Sequence, residues 1–276
     1  MYSRGFVAPN ATQLSALSRL FSSSVFREMA KKGRSGLFVR LFQETGLSRS
    51  YLADATVGTA FDAAFSVLRR SGLRNEYVYR AALTRNILLG THSLKTASML
   101  TEFRAGKCKA DLAILNGTGT VYEIKSDRDS LARLSKQVLN YRKVFAKIYV
   151  IAGEAHIGDV VDGVPADVGV MSLVRWEAID RPDLICPVTT FESLRLAEAR
   201  AILRDLNVPI PIVPNTMLHT TMRERFAQLD PATVHRLMVQ TLKRTRNLAP
   251  LGTLIDRLPA SLQPAALAIQ VRPADH

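Results

Sequence analysis

A mixed α/β fold is predicted by three observations. Apolar residues recur at helical spacing over the first 90 residues. Residues 98–125 then break into short strand-like runs around an Asn-Gly pair. Finally, a helix-period segment leads into the uninterrupted apolar run Ile148-Tyr149-Val150-Ile151. A strand, a helix and a buried strand in succession specify a right-handed crossover. The expectation is therefore a small mixed sheet with helices on both faces.

Residues 12–31, 35–45 and 54–71 read as helices, separated at Gly33 and Gly46. Leu14, Leu17, Phe21 and Val25 fall on one face of the first. Residues 75–89 read as a fourth helix, with Tyr79, Leu83 and Ile87 on its apolar side, beside Ala81 and Leu88. Residues 98–103, 109–115 and 120–125 are strand-like, and Asn116-Gly117-Thr118-Gly119 between the last two is a hairpin signal. Residues 129–145 form the clearest helix, with Leu131, Leu134, Val138, Tyr141 and Phe145 along one stripe. The run at 148–151 has the continuous apolarity of a strand buried on both faces, and 168–173 reads as one more strand. The proline-rich stretch 208–214 excludes a helix interior or a central strand and reads as an extended connector. Asp230-Pro231, an N-cap followed by proline at the first helical position, opens a helix reaching about Arg246.

The chain has 276 residues and a net charge of +13. With 47% apolar residues it is not a disordered chain. Its length allows one elaborated domain or two small ones. No apolar run approaches the ~20 residues of a membrane span. Two cysteines, Cys108 and Cys186, exclude a disulfide framework and fit a reducing compartment, so a cytoplasmic location is expected. The first 27 residues lack acids and carry Arg4, Arg19 and Arg27, a transit-peptide-like composition that an ordinary amphipathic helix explains better. The positive excess is uneven. Residues 76–152 hold thirteen bases and six acids, whereas 153–276 hold thirteen bases and fourteen acids. The excess thus belongs to the first 152 residues and predicts a polyanionic partner for that part of the chain.

Three of those six acids sit where strands disfavour them: Asp111 in Asp-Leu-Ala-Ile-Leu, Glu123 in Val-Tyr-Glu-Ile-Lys and Glu102 in Leu-Thr-Glu-Phe. Buried charges need a partner or a metal. Glu123 and Lys125, two apart, share one strand face. The Asn-Gly turn makes the Asp111 strand the neighbour of the Glu123 strand, provided that the register does not slip by one. Two carboxylates and an ammonium on one face suit Mg²⁺ and an attacking water. On the following helix Gln137 and Tyr141, four apart, present an amide and a hydroxyl on one face. For an isolated Glu-x-Lys or Gln-x-x-x-Tyr a salt bridge or a core tyrosine is the better reading. Their succession around a hairpin carrying Asp111 is what points to chemistry.

Asp111, Glu123-Ile124-Lys125 and Gln137-x-x-x-Tyr141 together resemble the PD-(D/E)xK nuclease superfamily in its RecB-like branch. The run Tyr122-Glu-Ile-Lys-Ser-Asp-Arg-Asp-Ser-Leu-Ala-Arg-Leu is similar to a little-characterised bacterial and phage family of that superfamily. The resemblance covers roughly residues 75–152; Lys109-Ala110-Asp111 stands in place of the Pro-Asp of the name. It implies a restriction-endonuclease-like core, a small mixed sheet flanked by helices, over 75–175. An N-terminal basic helical region (1–74) and a mostly helical C-terminal extension (176–276) complete the chain. It implies Mg²⁺ or Mn²⁺ bound by Asp111, Glu123 and the Ile124 carbonyl. Lys125 would position the water, and Glu76 would be the accessory helix acid, with Glu102 as its rival. Gln137 and Tyr141 would complete the site. Arg128, Arg133, Lys136 and Lys109 are the expected phosphate contacts.

The expected activity is phosphodiester hydrolysis, with DNA as the substrate on the resemblance alone. Two other readings stay open. One is a non-cleaving nucleic-acid-binding or regulatory protein that keeps the fold. The other is a protein-binding module of phage or defence origin, with partner or self-association surfaces in the terminal helical regions. The five histidines and two cysteines show no zinc spacing, and no Walker loop or Gly-x-Ser-x-Gly elbow occurs.

Overall fold

The computed structural model describes residues 8–47, 56–70, 72–171 and 177–269. They form two compact units: the described residues of Met1–Arg85 with those of Thr253–His276, and Asn86–Gly252. The C-terminal third is therefore shared, with 177–252 in the sheet-bearing unit and 253–269 in the helical one. None of the described helices is long and apolar enough to cross a membrane.

The helical unit contains α1 (Ala11–Leu20), α2 (Ser23–Lys32), α3 (Gly36–Glu44), α4 (Val57–Leu68) and α5 (Glu76–Leu83) from the N-terminal side. The single helix expected over 12–31 is two helices. Ser22 is extended and caps α2, as befits a Ser-Ser-Ser run whose hydroxyls compete with the helical backbone. Caps account for the other starts: Ser35 Oγ accepts from the Phe38 N–H at 3.0 Å, and the Thr56 and Asn75 side chains accept from Thr59 and Val78. Residues 54, 55 and 71 of the helix expected over 54–71 lie outside the described residues. The helix expected over 75–89 is α-helical to Leu83 and widens into a π-helical turn, Thr84–Leu88. Phe61 lies at the centre of this core, with the rings of Phe21, Phe26 and Phe38 at 5.4, 5.4 and 5.0 Å.

The second unit is built on a five-stranded sheet, β1 (Ser98–Ala105), β2 (Cys108–Asn116), β3 (Thr118–Lys125), β4 (Lys147–Ala152) and β5 (Gly169–Met171), in sequential order. β1–β2 and β2–β3 are antiparallel; β3–β4 and β4–β5 are parallel. The mixed sheet is as expected, and so is the hairpin, with Gly117 at φ +71° supplying its left-handed residue. Ser172 and Leu173 of the last expected strand lie outside the described residues. Between β3 and β4 runs α6 (Leu134–Tyr141), much shorter than the expected 129–145. The reason is Asp129, whose Oδ2 turns back to accept from the Ser126 N–H at 2.8 Å and Oγ at 2.6 Å, holding the chain in a turn.

After β4 come α7 (Ile157–Gly163), α8 (Pro187–Ser193), α9 (Leu196–Asp205), α10 (Asn215–Ala227) and α11 (Pro231–Thr245). Residues 208–214 are irregular, as the prolines require. α12 (Gly252–Arg257) and α13 (Gln263–Ile269) are the last helices of the described residues. One core joins Val121, Ile148 and Val150 of the sheet to Val138 of α6, Phe191 of α8, Ile202 of α9, Phe226 of α10 and Met238 of α11. Asp230 caps α11 through the Thr233 N–H at 2.8 Å.

His235 fastens α11 to the hairpin. Its Nδ1 donates to the Val144 carbonyl at 3.2 Å and its Nε2 accepts from the Gly119 N–H at 3.1 Å, so the imidazole is neutral. Burial pushes its pKa below the ordinary value, against the opposing pull of the Val144 bond. A folded pKa below the unfolded value of about 6.5 means that the stabilisation is complete above that pH and lost as pH falls below it. The urea midpoint is expected to fall between about pH 7.5 and about pH 5, and to fall less in His235→Gln. Equal falls would show that the imidazole is not the cause.

Candidate acidic site on the sheet

Strand register builds the site. Thr101 lies opposite Leu112 and Phe103 opposite Ala110, which sets Glu102 opposite Asp111. The β2–β3 ladder runs to Leu112 opposite Tyr122, so Asp111 and Glu123 are the residues that follow the last pair on the two strands. Glu102, Asp111 and Glu123 thus occupy neighbouring positions across β1, β2 and β3, a row of three carboxylates in which Glu102 and Asp111 face each other. Exposure falls along the row: Glu102 is exposed, Asp111 half-buried and Glu123 1% exposed. A carboxylate oxygen of Glu102 lies within 4.8 Å of one of Asp111.

Two backbone departures coincide with this row. Glu102 has φ +51°, a left-handed conformation uncommon for a residue with a Cβ and concentrated at functional sites. It also interrupts the strand's alternation, so that Leu100 and Phe103, three apart, reach the same core. The second departure is on β2, whose ladder to β3 ends at Leu112–Tyr122 while its pairing to β1 continues. Past that point the Asp111 carboxylate takes the place of a backbone acceptor, its Oδ2 receiving the Ile124 N–H at 2.8 Å. It is the Ile124 amide that the structure sets against Asp111.

Glu123 is held by three donors. Its Oε1 accepts from Lys125 Nζ at 2.6 Å and from Gln137 Nε2 at 2.5 Å, and its Oε2 from Tyr141 Oη at 2.6 Å. Gln137 Oε1 in turn accepts from Lys125 Nζ at 3.0 Å. Lys125 is 5% exposed and Tyr141 fully buried. Burial first, and the Glu123 charge second, push the Tyr141 phenol well above its ordinary pKa, so it stays protonated and serves as a donor. α6 is set over the strand end by its own polar contacts. Tyr141 Oη is 2.8 Å from the Lys109 carbonyl, and Asn140 Oδ1 accepts from the Lys107 N–H at 3.1 Å. Gly106 between those strands has φ +58°, and a Cβ there would come within 2.5 Å of Asn140 Oδ1.

The structure thus brings Asp111, Glu123, Lys125, Gln137 and Tyr141 together, with Glu102 beside Asp111. Glu76 opens α5 in the helical unit, where its carboxylate pairs with Arg80. Arg128, Arg133 and Lys136 are exposed, and the Lys109 ammonium lies 3.9 Å from Glu102. What local patterns do not reveal is that Glu102 faces Asp111. That needs the β1–β2 register, whose only signal is Gly106 in Arg-Ala-Gly-Lys.

The donor set fits a hard divalent cation. Glu102 and Asp111 supply close carboxylate oxygens, within a small shift of the separation that ligands at ~2.1 Å from Mg²⁺ require. A carboxylate has about four acceptor positions; donors occupy three on Glu123, and Oε2 carries a single one.

Fold and site together define a mixed α/β protein with a buried acid–lysine pair and a row of carboxylates on its sheet. Residues 69–209 match the family described as bacteriophage P4 protein cII, and the chain belongs to that family. It is 30% identical over 156 residues to Protein cII of Enterobacteria phage P4, an overlap of 54% of this chain and 59% of that relative. The chain therefore spans less than two thirds of the relative's length. No solved structure matches. The matched segment contains the whole carboxylate row, Lys125 and the α6 pair.

Proposed function

We propose that the protein is a metal-dependent nuclease acting on DNA, with a core of the PD-(D/E)xK type. The observation that carries this reading is Glu102 facing Asp111 across β1 and β2, with Asp111 bonded to the Ile124 amide next to Glu123 and Glu123 joined to Lys125, Gln137 and Tyr141. Asp111, Glu123 and Glu102 would hold Mg²⁺ or Mn²⁺, which when bound neutralises phosphate charge and supplies a water of lowered pKa. Lys125 donates to Glu123 and Gln137, and its third N–H is left to orient the attacking water. Gln137 and Tyr141 hold the Glu123 carboxylate in one orientation. Lys109, Arg128, Arg133 and Lys136 are the cations available to the DNA backbone at the rim.

Plasmid, linear and single-stranded DNA incubated with Mg²⁺ or Mn²⁺ test the proposal. Cleavage is expected, and Asp111→Asn is expected to lower it by at least ~10²-fold. Cleavage that survives Asp111→Asn would remove the mechanism. Glu102→Gln and Glu76→Gln, compared side by side, assign the accessory acid. On the register, the larger loss is expected at Glu102.

A second reading rests on the closure of the Glu123 network, whose donors all come from the protein and whose carboxylate is 1% exposed. Such a network also suits a purely structural role in a nucleic-acid-binding protein that does not cut. Steeply salt-dependent DNA binding without cleavage in either metal would favour it.

A further inference from the structure

We infer that a second cleft, walled by α11 and opening beside the β2–β3 turn, binds the phosphate backbone of a nucleic acid strand. Its volume is about 460 Å³, and Lys95, Arg236, Lys243 and Arg244 line it together with Gln240 and Asn247. No acid lines it. Arg236, Gln240 and Lys243 are spaced by four and three residues, one face of α11, and Asn247 lies just past the end of that helix. The opposite face of α11 is buried through Val234, Met238 and Leu242. Lys95 approaches from the segment before β1, and Gly117 closes the end at the hairpin turn.

Ion pairing within the protein does not use up these charges. Arg244 reaches Asp205 at 3.6 Å. Lys95, Arg236 and Lys243 have no ion-pair partner among the described residues. Cations in the last turn of a helix are favoured by its dipole, which is sufficient reason for Lys243 and Arg244. It gives no reason for Arg236, in the second turn of α11, or for Lys95, on another element. Along α11 the row from Arg236 to Arg244 extends ~12 Å at 1.5 Å per residue. At ~3.4 Å of duplex axis per phosphate on one strand, that is room for about three phosphates. An open, elongated row of cations suits a strand better than one small anion. The α11 cations of the cleft lie in the part of the chain whose total charge is near zero, so a charge sum over that segment conceals them. The α11 residues also lie outside the matched residues 69–209, and the cleft shares no residue with the carboxylate row.

The test is fluorescence anisotropy of the full chain with labelled duplex and single-stranded oligonucleotides, in chelator so that no cleavage intervenes. Binding is expected to weaken with salt. Arg236→Gln/Lys243→Gln is expected to reduce the slope of log K against log salt by ~1.8 on duplex, about 0.9 per lost phosphate contact. Lys95→Gln, on a different element, is expected to remove about 0.9 more. Circular dichroism of each variant should match the parent, since the substituted groups have no ion-pair partner to lose. An unchanged slope in the triple variant, or no binding by the parent chain, would overturn the inference. Displacement by inorganic phosphate at equal phosphate concentration would overturn the assignment to a strand. Because cleavage plays no part, a slope change in a protein that never cuts DNA would sustain the cleft while the nuclease reading fails.

Discussion

Lys125→Met is expected to abolish metal-dependent cleavage and also to cost the fold about 3–5 kcal/mol. Glu123 is 1% exposed, and Lys125 is the cation that faces it at 2.6 Å. With Lys125 gone, the buried carboxylate keeps Gln137 and Tyr141 as donors but loses its counter-charge. Removing one partner of a buried pair costs more than the pair contributes, because the other charge stays behind. The double variant Lys125→Met/Glu123→Gln removes both charges and is expected to recover most of the lost stability with none of the activity. Urea unfolding of the single and double variants, read beside cleavage, separates the two roles. A Lys125→Met protein as stable as the parent would show that the pair does not hold the sheet together.

Glu198→Ala is expected to be as damaging to the fold, about 3–5 kcal/mol, with no role in chemistry. Glu198, on α9, is 2% exposed and forms a two-pronged pair with Arg246, Nε to Oε1 and Nη2 to Oε2, both at 2.9 Å. Its Oε2 also accepts from the Arg195 N–H at 2.8 Å, and Arg246 lies over the Phe103 ring at 5.2 Å. One carboxylate therefore joins α9, the end of α11 and β1. Burial alone would raise its pKa, but the Arg246 and Arg195 hydrogen bonds outweigh burial and hold it below the ordinary carboxylate value. Its stabilisation is thus complete above the unfolded pKa of about 4.3 and lost as pH falls through the lower folded value. Glu198→Gln keeps the shape and cannot ionise, so its stability should decline less than the parent's below about pH 4. Identical acid limbs would assign that loss to other groups.

The central constellation was readable because short-range rules determine it. Asn116-Gly117 sets the hairpin, the hairpin brings the Asp111 strand beside the Glu123 strand, and a period of two puts Lys125 on the Glu123 face. A period of 3.6 does the same for Gln137 and Tyr141. The length of α6 was not readable, because Asp129 carries no mark saying that it will fold back on Ser126 rather than start a helix. The break between α1 and α2 was hidden by an apolar stripe that runs through it. Glu102 stood out as an acid in a strand, but its place beside Asp111 depends on pairing across a turn with little sequence signature. The return of 253–269 to the helical unit depends on which of two cores the chain rejoins, a choice no local pattern records.

The bond from the Ile124 amide to Asp111 turns one backbone proton into a reporter. Most amides of a central strand answer only to the opening of the sheet. This one answers to a carboxylate that a proton or a cation can claim. Its chemical shift in an ¹⁵N-correlated spectrum should move with acid or with Mg²⁺ while its neighbours in β3 stay still. Solvent exchange at the same amide should follow the side chain rather than the strand. A single resonance, assigned by comparison with Asp111→Asn, would then read the state of the site without any substrate.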